Sequence, residues 1–217
     1  MTHAGEGTRK RAADSGRVEA FSDGVFAIAL TLLVLDLHAP AARGGFTHTL
    51  LHQWPAYLAY LAAFLNISAI WIHHHDLFTR VRVVDVRLIC ANLLLLLVAS
   101  LFPWPAAVIS AAVRDGTRTD QIAANLLYAA VGFLVPLAWM NIYRYLARNP
   151  ALLTEATDAG YLRHAIGRAS VSVVVYPIAA SLSFVEPVIA VVAYALVPVF
   201  FIGTLLYPRD SAGAASG

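Results

Sequence analysis

The sequence predicts an all-α, polytopic membrane protein with six transmembrane helices. Of its 217 residues 59% are hydrophobic and only 13% charged, against about a quarter charged in soluble domains. Six stretches approach or exceed the roughly 20 mainly apolar residues that a helix needs to cross a bilayer. The breaks between them carry turn chemistry: HAPAARGG, TRVRVVD, RDGTRTD, ARNPALLTEATDAG and SFVEP.

In chain order the spans are 18–37, 49–78, 84–113, 121–146, 161–182 and 185–207. A polar, basic N-terminal tail, 1–17, precedes them, and a small-residue C-terminal tail, 208–217, follows and is expected to be disordered. The first apolar run is too long for the roughly 7 to 15 residues of a signal-peptide core, and no A-x-A-like site follows it, so it is expected to be retained. The fifth and sixth spans are joined only by SFVEP, a tight outer turn.

Arginine and lysine set the orientation. With the N-terminus cytoplasmic, that side holds Arg9, Lys10, Arg11, Arg17, Arg80, Arg82, Arg87, Arg144, Arg148, Arg163, Arg168 and Arg209, while the other holds Arg43, Arg114 and Arg118. Both tails are therefore expected in the cytoplasm, as an even number of spans requires. Trp54, Trp104 and Tyr207 fall near span ends, where aromatic rings favour the interface. A net charge of +2 is too small for a nucleic-acid surface. The single cysteine, Cys90, excludes an internal disulfide and a cysteine metal cage, and its apolar surroundings predict a small core residue.

The first span opens with a polar face. Glu19, Ser22 and Asp23 lie at i, i+3 and i+4 and share one side of the helix. A carboxylate there is costly in hydrocarbon and marks a function or a partner. Near the end of the antiparallel second span, WIHHHDLF puts Trp71, His74 and His75 on one face at a matching depth. Imidazole and indole N–H groups can then donate to Ser22 and Asp23, with Arg17 compensating charge or reaching the headgroups. The alternative is that Asp23 caps a helix start, where the positive helix end suits it. Three consecutive histidines point about 100° apart and cannot all reach one ion, so His73 to His75 are expected as satisfied histidines, with no metal or cofactor.

Opposite the polar face run Ile28, Thr31, Leu32 and Leu35. The whole helix is apolar, so periodicity leaves lipid, another helix and a pore equally open as the environment of this stripe. Gly24, Ala27 and Ala29 suit close helix approach in each case. Asn66, Ser68, Asn92, Asn125 and Asn141 are expected to bond between helices, and Pro136, Pro177 and Pro198 to kink or cap. Glu186 is expected in solvent. No HExxH and no nucleophile constellation is present, so an enzyme is not expected.

The series Arg17, Phe21, Ser22, Asp23, Gly24, Val25, Ala27, Ile28, Thr31, Leu32, Leu33, Val34, Leu35 and Asp36 reads R-x-x-x-F-S-D-G-V-x-A-I-x-x-T-L-L-V-L-D. It resembles the signature of the prokaryotic relatives of the endolysosomal potassium channel, the transmembrane protein 175 family. The resemblance extends to WxHHH and, in architecture, to the whole chain. It implies a homotetramer in the lipid bilayer, with the first helices lining a central pore. It assigns Ile28, Leu32 and Leu35 to the pore constriction and Thr31 to a threonine layer. It places Phe21, Ser22 and Asp23 in a network with Arg17, Trp71 and His74, and it makes potassium the permeant ion, leaving sodium and protons open.

On that reading, leucine and isoleucine rings block by dewetting, and no TVGYG filter is present to set selectivity. Thr31 either faces the ion or bonds the Ala27 carbonyl of its own helix. Asp36 either forms an outer acidic ring or sits idle at the interface. The rival is a proton-coupled transporter with Asp23 and the histidines as relay. A prokaryotic plasma membrane is the expected location.

Overall fold

A computed structural model of the chain describes residues 3–37 and 45–206. Tyr207, Arg43, the 208–217 tail and most of HAPAARGG lie outside the described residues, as does the Asp36 side chain. The architecture is helical throughout, with no strand among the described residues and one isolated bridge, Val81 to Leu153. Eight α-helices follow one another: α1 His3–Leu32, α2 Phe46–His52, α3 Trp54–Phe78, α4 Val86–Ser100, α5 Pro103–Asp115, α6 Arg118–Arg148, α7 Ala159–Ser181 and α8 Pro187–Leu206. Five segments are long and apolar enough to cross a membrane: 15–35, 54–78, 86–115, 118–148 and 160–184; a shorter apolar helix covers 187–203.

Three of the expected spans differ in detail. The helix of the first runs continuously from His3 through the basic segment and tightens into a 3₁₀ turn over Leu33–Asp36. The second is cut at Gln53, separating α2 from α3, because Pro55 has no N–H to donate and its ring excludes the carbonyl four residues back. The third is cut between α4 and α5, where Pro103 and Pro105 open a new helix in the first turn, the position that proline tolerates. Pro136, Pro177 and Pro198, by contrast, sit inside α6, α7 and α8.

α3 is the central element: α1 and α5 pack on it, and α8 packs along it, while α6 bridges α4, α5 and α7. A buried polar knot pins this centre. The Asn66 amide donates to the Tyr194 carbonyl at 2.9 Å and to the Tyr128 hydroxyl at 3.2 Å, and the Tyr176 hydroxyl donates to the Asn66 carbonyl oxygen. Each group buried in this knot thereby has a partner, as a low-dielectric interior demands. Beside it, Gly132 lets α7 approach α6, since a Cβ there would lie 2.2 Å from the Tyr176 ring.

The two ends of the bundle are tied separately. At one, the 79–85 and 149–158 segments pair through Arg82 N to Leu152 O at 2.8 Å and Thr154 N to Arg80 O at 2.9 Å. Asp76 there takes Arg80 at 2.6 Å and the Tyr161 hydroxyl at 2.8 Å, fastening α3 to α7. Asp85 caps α4 by accepting from Leu88 N at 2.9 Å and also accepts from the Tyr145 hydroxyl. Its slight burial opposes ionisation, but these donors and the nearby Arg87 outweigh it and hold the carboxyl below its usual range. At the other end Thr117 and Asp120 form a capping box, and Arg118 donates to the Phe184 and Val185 carbonyls at 2.8 and 3.0 Å.

Several residues depart from expectation. Cys90 is exposed, because the packed face of α4 is Leu88, Ala91, Asn92, Leu95 and Ala99, and Cys90 points away from it. An apolar neighbourhood in a membrane chain does not imply a core position. Asn66, Asn92 and Asn125 bond to other elements, but Ser68 and Asn141 bond to no side chain or backbone group among the described residues. Asn141 is exposed; Glu186 is exposed as well, as expected of it.

Candidate functional site

The first helix presents two faces of opposite character. Its buried side is Ser22, Phe26, Ala29 and Leu33, spaced by four, three and four residues, each at most 2% exposed. This side lies on α3 and α4.

Three polar rungs join it to its neighbours. In the first, His75 Nδ1 lies 3.2 Å from Glu19 Oε1. The second is deeper: the Asn92 amide of α4 donates to Ser22 Oγ at 2.9 Å, and Asn92 Oδ1 lies 3.0 Å from His74 Nε2. Ser22 passes its own proton to the Val18 carbonyl at 2.9 Å. An amide oxygen only accepts, so His74 Nε2 carries a proton and donates it. The third rung is the Trp71 indole, which donates to Asp23 Oδ1 at 3.0 Å. His74 is fully buried, edge-on to Phe26 at 5.3 Å and stacked on Phe78 at 4.2 Å.

Antiparallel packing accounts for this order. Four residues forward on α1, from Glu19 to Asp23, match four back on α3, from His75 to Trp71. The expected donors are redistributed, however. Trp71 alone serves Asp23, whereas His74, rotated about 60° from it around α3, turns to α4 and reaches Ser22 only through Asn92. Asn92 is the member that the sequence did not place here: an amide in an apolar run has no periodic mark.

Arg17 and Phe21 fall elsewhere. Arg17 is exposed and has no hydrogen bond or ion pair among the described residues, and Phe21 is 57% exposed. Six residues separate Arg17 from Asp23, which puts them on different sides of the helix. Both Arg17 and Phe21 instead extend a second stripe, with Gly24, Ile28, Thr31, Leu32 and Leu35, all exposed. Asp23 is not a helix cap, since α1 begins at His3.

On this ridge Ile28, Leu32 and Leu35 are 61, 46 and 70% exposed, an apolar line that the described residues leave uncovered. Because Leu35 lies in the 3₁₀ turn, residues three apart eclipse, and its side chain follows closely above Leu32. Thr31 donates its hydroxyl to the Ile28 carbonyl at 2.9 Å, three residues back rather than the four expected. That bond uses the proton and leaves the oxygen lone pairs unengaged. No group of three or more histidine, cysteine, aspartate or glutamate residues suited to a metal occurs among the described residues. His73 lies apart from its neighbours, with Nδ1 donating to the Ala69 carbonyl at 2.9 Å.

Helical throughout, with five segments of membrane length and a polar seam buried between the first of them and its neighbours, the chain is a multi-pass membrane protein. Residues 17–103 match the family model described as the endosomal/lysosomal potassium channel TMEM175. A potassium channel of Streptomyces collinus is 39% identical over 190 residues, covering 87% of this chain and 91% of that protein. The chain belongs to the TMEM175 family, a family of ion channels. The crystal structure of a lysosomal potassium-selective channel TMEM175 homolog from Chamaesiphon minutus superimposes with a TM-score of 0.76 at 28% identity, over 88% of this chain and 98% of that one. The bovine endosomal/lysosomal proton channel TMEM175 is 30% identical over 184 residues, of which this chain spans only 36% of the length.

Proposed function

We propose that this chain is one subunit of a potassium-permeable cation channel, a homotetramer of six-span subunits in a prokaryotic plasma membrane with both termini cytoplasmic. The carrying observation is the ridge of α1. It combines large apolar side chains with a threonine oxygen and ends toward Arg17, and nothing among the described residues covers it. A single stripe encloses nothing, so a conduit needs several copies about one axis, for which cyclic symmetry is the usual solution. The potassium-channel names of the Streptomyces and Chamaesiphon relatives support this reading.

In such an assembly Ile28, Leu32 and Leu35 form successive apolar rings. A narrow ring of this kind excludes ions by drying, so conduction requires the side chains to turn aside or the helices to part. Thr31 contributes hydroxyl oxygens to a partly dehydrated cation, its proton already engaged by its own backbone. The polar rungs behind the ridge hold α1 in fixed rotation against α3 and α4, so Ser22, Asp23, Trp71 and His74 act as positioning residues and permeant ions do not meet them. A cofactor has no role in this scheme.

The purified protein in planar bilayers tests the assignment. Resolvable unitary currents are expected, with a reversal potential under opposed potassium and sodium gradients that lies on the potassium side of zero. Slow, saturating flux without unitary steps would instead establish a carrier. The proton-channel name of the bovine relative favours a second permeant ion; a pH gradient imposed in the same bilayers reads proton current through the same path.

A further inference from the structure

A second site lies away from α1, in a cavity of about 70 Å³ bounded by α3, α6, α7 and α8. Its walls are largely apolar and aromatic, with Trp139, Pro136, Pro198 and Phe201 among them. Set into this wall is Arg168 of α7, whose Nε is buried without a partner. No carboxylate or carbonyl among the described residues accepts from its guanidinium, and the buried Nε donor has no partner. The nearest end of the bundle offers no relief, because Asp76 is already taken by Arg80 and Tyr161.

Arg168 is no loop residue. It lies eight positions into the apolar segment that begins at residue 160, about 12 Å along the helix. A charge at that depth is retained where it has a counter-ion. None is found among the described residues, and the walls around it are largely apolar. What fits is a molecule with an anionic, oxygen-rich head and an aliphatic body. We propose that this cavity binds an anionic phospholipid, its phosphate held by the Arg168 guanidinium and its acyl chain laid along Trp139, Pro198 and Phe201. Guanidinium and phosphate match as a fork of parallel donors against paired oxygens. The cavity meets the α1 seam only through α3, where His73 lines it and His74 belongs to the rungs of the first helix.

The test is thermal unfolding of the full chain in neutral detergent, titrated with phosphatidylglycerol, phosphatidylcholine or inorganic phosphate. Phosphatidylglycerol is expected to raise Tm in a saturable way and phosphatidylcholine to fall well short of it. Arg168→Gln should weaken the phosphatidylglycerol response about tenfold or more, as loss of a charge-assisted pair does. Should that variant not fold, Ser172→Leu, which fills the cavity from α7 and keeps the charge, should weaken it likewise. A response to phosphatidylglycerol no larger than to phosphatidylcholine, or one undiminished in the folded variant, overturns the proposal. Equal stabilisation by inorganic phosphate alone would replace the lipid with a free anion.

Discussion

Asn92 is the residue on which the buried seam turns. Its amide serves Ser22 while its carbonyl oxygen meets His74, and all three are almost wholly buried. Asn92→Ala strands a hydroxyl acceptor and an imidazole donor in a dry interior, and each stranded group costs about 1 to 3 kcal/mol. A clear fall in Tm of the purified protein is therefore expected, and an unchanged Tm would remove Asn92 from the seam. Asp23→Ala leaves the Trp71 indole without its acceptor; it should reduce the yield of assembled protein, read by size-exclusion chromatography, more than it alters the permeability ratio of what does assemble. The pairing of Asp23 with Trp71 was legible in the sequence, because depth in antiparallel helices follows from counting residues. The role of Asn92 was not, since one amide among leucines reveals neither its helix face nor its partner. The family resemblance groups Arg17 and Phe21 with Asp23; within the single chain both are exposed on the other stripe of the helix.

At the scale of elements, hydropathy located the apolar segments well and their interruptions poorly. The splits at Gln53 and before Pro103 arise from prolines inside otherwise uninterrupted apolar runs. The same residue type leaves α6, α7 and α8 continuous, so proline alone does not decide where a helix ends. Where α6 meets α7, Gly132 carries no side chain and Tyr176 lies against it. Gly132→Ala brings its methyl to 2.2 Å from that ring, far inside contact distance. Overpacking of this kind typically costs about 1 to 3 kcal/mol, and displacing Tyr176 also disturbs its bond to Asn66. A lowered Tm is expected, and an unchanged Tm would show that the ring can move aside without cost.

For the whole molecule, the exposed stripe of α1 is the feature least explained by the described residues of a single chain and the one that the proposed assembly would cover. Native mass spectrometry should give four times the 23.3 kDa of the chain, and a monomer would leave the stripe to lipid. Ile28→Asn and Leu35→Asn should each wet the proposed constriction and raise conductance or blunt ion selectivity; unchanged currents in both would remove them from the conduction path. Composition was enough to show a membrane protein. Periodicity could not tell which surface faces lipid, because in hydrocarbon an exposed leucine and a pore leucine look alike. Cys90 shows the same ambiguity, exposed where an apolar neighbourhood suggested a core.

The most direct measurement uses that cysteine's removal. In a Cys90→Ser background, Leu32→Cys is reconstituted in planar bilayers and a charged, membrane-impermeant thiol reagent is added while unitary currents are recorded. Progressive, irreversible change or block of the current is expected if, as proposed, position 32 borders the water-filled path of the open state. Currents unaltered by the reagent, with the thiol still free for a lipid-soluble maleimide, would place Leu32 in the bilayer and contradict a pore lined by α1.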